Sequence, residues 1–247
     1  MGLFGSLFEK KSCDICGKEL GLLGKRKLED GYLCKDCAGE LSPFFSERRS
    51  STVQDIREQL AYREENKARV SAFTPTRTLG LRTRVLIDDD MRAFAITSGG
   101  ASWREANPDI IDFHQVTGCI VDVRETRTEI ERELEDGTTV SYDPPRYDID
   151  YDVFTIIQVN SPYFDEISVK TNASRIETQG SPDYREAVHL AEEIRDALVG
   201  ARDAIRDETI AASAPKAART CPFCGATTFP DANGRCEYCG GAMGSAQ

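Results

Sequence analysis

From Arg82 to Thr171 the apolar residues fall mainly on alternate positions, the period of a strand with one buried face. Arg84-Val-Leu-Ile87, the Asp88-Asp-Asp90 turn and Arg92-Ala-Phe-Ala-Ile96 predict a hairpin. Cys119, Val121 and Val123 alternate with Ile120, Asp122 and Arg124. A second run alternates through Ile149, Tyr151, Val153, Thr155, Ile157 and Val159. Asp136-Gly137 is a two-residue hairpin signal between Leu134 and Thr138. Ser161-Pro162 then turns the chain toward Ile167 and Val169. Past Ser181 the period changes to that of a helix. Tyr184, Ala187, Val188, Ala191, Ile194, Leu198, Ala201 and Ile205 recur at spacings of three and four, with Ser181 as cap and Pro182 in the first turn. About seven strands followed by one amphipathic helix predict a pleckstrin-homology-like β-barrel or sandwich closed by that helix. Trp103, in a Gly- and Ser-rich stretch, is expected to plug one end of it.

Ahead of this body, Ser50 or Ser51 is expected to cap a helix from Thr52 to about Ala72. Val53, Ile56 and Leu60 give it a short apolar stripe. Beyond Tyr62 it is almost wholly polar, with Glu65 and Arg69 spaced for an ion pair, so a solvated spacer docked by its first half is expected. Thr209–Thr220, Ala-rich and interrupted by Pro215, predicts a flexible linker. The implied organisation is a module over 1–48, a connecting helix over 49–80, a β domain with its helix over 81–208, a linker over 209–220 and a second module over 221–247.

Both end modules are defined by cysteines. Cys13, Cys16, Cys34 and Cys37 form two C-x2-C pairs separated by seventeen residues. Cys221, Cys224, Cys236 and Cys239 repeat the pattern with eleven between the pairs. Two thiolate pairs at this spacing complete a closed tetrahedral shell, so two structural zinc ions are expected; rubredoxin-like iron uses similar pairs and is the rival metal. A knuckle, a hairpin and a short helix starting near Cys37 make the first module treble-clef-like. In the second, a glycine after each pair, Gly225 and Gly240, predicts two knuckles of a zinc ribbon, with the tail after Gly240 disordered.

Of 247 residues, 31 are basic and 42 acidic, and the imbalance is local. Residues 50–213 carry a net charge of −13 and each end +1. An acidic body repels phosphate backbones, which leaves Lys25, Arg26, Lys27 and Arg235 as candidate nucleic-acid contacts. The chain contains no run of about 20 apolar residues and no secretory leader, which points to a cytoplasmic protein and against a membrane partner. Leu3, Phe4, Leu7 and Phe8 form a short apolar start that could touch a membrane surface or the first module. Cys119, the ninth cysteine, is expected to be a buried small apolar residue. His114 and His189 give it no evident catalytic partner, so no enzyme is expected.

The segment CDICGKELGLLGKRKLEDGYLCKDCAGELSPFF with the following STVQDIREQLAYREEN resembles the bacterial domain-of-unknown-function family number 4428. The resemblance covers residues 1 to about 80. It implies a zinc-binding N-terminal module with Cys13, Cys16, Cys34 and Cys37 as ligands. It also implies that a PH-like body and a zinc ribbon can follow, and it implies no activity. The expectation is a non-enzymatic adaptor or scaffold for protein partners, with a nucleic-acid-associated regulator as the alternative; oligomeric state is left open.

Overall fold

The computed structural model describes residues 11–21, 24–45, 48–213, 218–231 and 233–243. The apolar start lies outside them. The chain divides into two compact units, Met1–Asp203 and Ala204–Gln247.

The first unit begins with two small hairpins, β1 (Lys11–Ser12) with β2 (Glu19–Leu20) and β3 (Arg26–Lys27) with β4 (Tyr32–Leu33). Helix α1 (Lys35–Gly39) follows. It starts earlier than the cysteine spacing suggests, because Cys34 itself is the N-cap and its sulfur accepts from the Cys37 amide. Leu28, Leu33 and Leu41 form the module's core together with Ile56, Val53 and Leu60 of α2 (Val53–Ala72).

Thr52 caps α2, in place of the expected Ser50 or Ser51. It takes the Asp55 amide and returns its own amide to the Asp55 carboxylate, a reciprocal capping box. Asp30 accepts from the Val53 amide at 2.7 Å and so ties the N-terminal module to the helix start. The expected solvated spacer is overturned beyond this point: Ile56, Gln59, Arg63, Asn66 and Val70 are all buried. Their spacing of three and four continues the apolar stripe through polar residues, which hydrophobic periodicity cannot register. Arg69 does not pair with Glu65. It binds the Ile110 carbonyl and the Asp112 carboxylate.

The polar stripe reads the backbone of residues 106–110. Asn66 donates to the Pro108 carbonyl and accepts from the Ile110 amide, at 2.8 and 3.0 Å. Arg63 donates to Asp109 at 2.9 Å, and that carboxylate, wholly buried, also accepts from the Ser42 hydroxyl at 2.8 Å. The Arg63 Nε bonds the Glu40 carbonyl. One guanidinium therefore joins the N-terminal module, α2 and the β region.

Strands β5 (Arg77–Gly80), β6 (Arg84–Asp88), β7 (Ala93–Thr97) and β8 (Ile110–Asp112) form an antiparallel meander. The β6–β7 hairpin is the expected one, although Arg92, with φ 57°, belongs to the turn. Every position of β7 is buried, so both faces of this sheet are covered. Val70 of α2 and its C-cap Phe73 pack against Leu86, Ala93, Ala95 and Ile110 on one face. Trp103 joins them, its ring edge-on to Phe73, so it is a core residue beside α2.

The second sheet has the order β11-β10-β9, from β9 (Val116–Glu133), β10 (Thr139–Val159) and β11 (Glu166–Lys170). Asp136-Gly137 lies in the β9–β10 turn, as expected. The hairpin is longer than the alternation implied, because it continues past a register shift between Ser141 and Arg146. Helix α3 (Pro182–Ser213) starts with the Ser181 hydroxyl accepting from the Tyr184 amide. Ala187 and Ala191 lie on Tyr151, Val153 and Ile176, while Thr155 and Thr171 donate to the Ala191 and Ala187 carbonyls. Seven strands and a helix thus stand in the expected order. They form two open sheets, and no ladder among the described residues closes them into a barrel.

Helix α3 begins in the first unit and continues into the second as far as Ser213, taking in the start of the expected linker. Residues 214–217, including Pro215, lie outside the described ones. Strands β12 (Arg219–Thr220) and β13 (Thr227–Thr228) then open a small metal-ribbon module. Its order extends beyond Gly240: Ala242 bridges to Arg235 and Met243 is buried against Cys221 and Cys236.

A buried ion pair that loses one partner leaves an uncompensated charge, at a cost of about 3–5 kcal/mol. Asp109→Ala should therefore lower stability by about that amount in urea denaturation. The paired change Arg63→Met with Asp109→Leu should recover much of the loss. A deficit in the double variant equal to that of the single would show that the charges themselves are required.

Candidate metal centres

The four sulfurs of Cys13, Cys16, Cys34 and Cys37 lie within 4.8 Å of one another, as do those of Cys221, Cys224, Cys236 and Cys239. Cys16 and Cys34 are 3.7 Å apart, Cys221 and Cys239 3.6 Å, and Cys224 and Cys236 3.7 Å. A disulfide would require about 2.05 Å. A tetrahedral zinc with Zn–S bonds of about 2.3 Å places its sulfurs about 3.8 Å apart, so both quartets fit such an ion.

The backbone explains how each quartet forms. After Cys13, Cys221 and Cys236 the chain makes the same knuckle. The amide of the first cysteine bonds the carbonyl five residues on (Lys18, Ala226 or Gly241) at 2.8–2.9 Å. The amide of the glycine after the second cysteine returns to the first carbonyl (Gly17 to Cys13, Gly225 to Cys221, Gly240 to Cys236) at 2.8–2.9 Å. Closing that turn takes φ of +74°, +73° and +69° at those glycines, a region side chains disfavour. The fourth pair differs: Cys34 and Cys37 sit on the first turn of α1. The N-terminal centre is therefore one knuckle plus one helix, and the C-terminal centre is two knuckles.

Electrostatics bear on the same point. Burial would raise the Cys13 thiol, but amides of Cys16, Cys34 and Ile15 outweigh it and bring it to about 7. Cys221 is likewise brought to about 7, burial being overcome by amides of Cys224 and Phe223. Cys37 is pushed up by burial and by neighbouring thiols. At Cys239 an amide bond from Gly241 favours the thiolate, yet Cys224 and Cys221 prevail and push it up to about 12. Four sulfurs this close cannot all be anionic alone. A divalent cation removes that conflict, and four protein ligands leave it no open position for substrate.

The other candidate residues lie apart from the metal. Arg26 and Lys27 occupy β3, with Lys25 just before it, on the N-terminal module. Arg235 is exposed beside the second knuckle of the other unit, its amide held by Asp231. Two basic residues missed in the sequence belong with the first group. Lys11 lies 4.0 Å over the Tyr32 ring, Tyr32 being the β-partner of Lys27, and Arg49 lines the same groove as Lys25, Arg26 and Lys27. No periodicity links positions 11, 26 and 49; only the fold does.

Cys119 is buried on β9, and burial pushes its thiol up to about 11. Its charged neighbours are Arg195, Asp196 and Arg202 of α3. No hydrogen bond joins it to His114 or His189 among the described residues.

Two outcomes are expected. Metal analysis by atomic emission should give two ions per chain, falling to one in Cys34→Ser and to one in Cys236→Ser. In native protein at pH 7.5, mass spectrometry should find Cys119 unalkylated by iodoacetamide. Denaturant should expose it, since a thiol with its pKa near 11 is almost wholly protonated at that pH.

No curated protein and no solved structure matches the chain. Residues 11–59 match the model of the family described as "Domain of unknown function (DUF4428)", a span that takes in the first cysteine quartet and the start of α2, with Val53 and Ile56 that pack on it.

Proposed function

We propose that the protein is a non-enzymatic, cytoplasmic bacterial adaptor in which two structural zinc ions fold small modules around a β region that binds protein segments. The observation that carries the reading is the closed donor set: each quartet supplies four thiolates, so neither metal has a position for water or substrate. Cys119, the remaining nucleophile, is buried and protonated.

Two surfaces support binding of a protein partner. β9 is the outer strand of its sheet among the described residues, an edge to which an extended segment can add. The terminal ribbon exposes Phe223 (71%) and Tyr238 (70%) just before the second cysteine of each knuckle. Exposed aromatics on so small a module are more than its solubility requires. Seven strands followed by a helix also suit a pleckstrin-homology-like body.

A nucleic-acid-associated role is the second reading. It is favoured by Lys25, Arg26 and Lys27, which form no ion pair among the described residues, and by exposed Arg235. Affinity purification of the intact protein from its own cells, with and without nuclease, separates the two. The adaptor reading expects protein partners that persist after nuclease. Partners that disappear with nuclease would overturn it in favour of the second.

A further inference from the structure

The face of the N-terminal module around β3 runs against the charge of the rest of the chain. Lys25, Arg26, Lys27 and Arg49 line one groove with Leu28 and Glu29, so four cations face one carboxylate. On a strand, successive side chains take opposite sides. Accordingly Lys25 and Lys27 are exposed, whereas Arg26 is half-buried. Its Nε is buried and has no hydrogen-bond partner. A buried guanidinium N–H is almost always bonded to an acceptor, because the donor gives up its water on burial. Neither Arg26 nor Arg49 is engaged by a carboxylate among the described residues. Lys11, over the Tyr32 ring on the neighbouring strand, adds a fifth cation beside the groove.

We infer that this groove binds a compact phosphate group, with the Arg26 guanidinium as its fork and Lys25, Lys27 and Arg49 around it. Phosphate matches the planar donor geometry of arginine with more charge than a carboxylate would bring to the groove. Compactness follows from range. Charge interactions are screened over about 8 Å at physiological ionic strength, so a phosphate or pyrophosphate experiences mainly the local cations. A long polyanion would extend past them along residues 50–213, whose net charge is −13. The groove shares three residues with the nucleic-acid reading above, but it commits to a small ligand and stands if that reading falls.

The test is calorimetric titration of the full-length, metal-loaded chain with inorganic phosphate and with pyrophosphate at physiological ionic strength. Metal content is measured before and after, and a single-stranded oligonucleotide is titrated in parallel. Saturable binding of one pyrophosphate per chain is expected, weakened about tenfold or more by Arg26→Gln and by Arg49→Ala and unchanged by Arg235→Ala. Arg49 is exposed, so its variant decides the matter if the Arg26 variant loses its metal. Absence of saturable binding, or equal affinity in Arg49→Ala and the parent, would overturn the inference. Binding of the oligonucleotide alone would also overturn it and return the groove to a nucleic-acid surface.

Discussion

The buried pairing of Arg63 with Asp109 is the contact on which the first unit depends. Removing two charges from water is expensive, and a single ion pair seldom repays it. Here the charges have further partners. Asp109 also takes the Ser42 hydroxyl, and Arg63 also reaches the Glu40 and Ala106 carbonyls. Those partners come from the end of the metal module and from the loop before β8. Satisfying the pair therefore requires both to be in place at once. The nearby Tyr62 phenol is raised by its own burial and then by the Asp109 charge.

Metal binding thereby acquires a long reach. Ser42 and Glu40 directly follow α1, whose first turn carries Cys34 and Cys37. Without a cation the four sulfurs cannot all be anionic, and the first turn of α1 carries two of them. Any loosening there passes through two hydrogen bonds to the pair that orders α2 against the β5–β8 sheet. Two modules joined by a solvated spacer would not share this consequence. The polar stripe on α2 creates it.

How much was legible in the sequence follows from which interactions leave a periodic trace. The quartets did, because thiolate spacing is fixed by the knuckle turn and the glycine it requires. The alternating runs around Val153 and the seam from Ala187 to Leu198 did as well, since each buries one continuous apolar face. Gln59, Arg63 and Asn66 did not. Burial of Arg63 and Asn66 depends on partners at 106–110, some forty residues away, and Gln59 accepts from the Ser42 amide; a polar residue in a helix looks solvated until its partner is known. The cap at Thr52 was missed by one residue, although Asp55 three positions on completes its capping box. Closure of the two sheets is a property of strand pairing across the molecule, and element order carries no information about it.

The same reasoning places the binding surfaces away from the metals. A closed shell of four thiolates would leave a bound ion no position to offer a ligand, so binding falls to the surfaces around it. In the terminal ribbon that surface presents Phe223 and Tyr238 from equivalent positions of two knuckles. In the N-terminal module it presents β3, whose register with β4 puts Lys27 opposite Tyr32 and turns Arg26 inward. An aromatic face and a cationic groove recognise different chemistry. The two ends, alike in cysteine pattern, therefore differ in the surfaces they present.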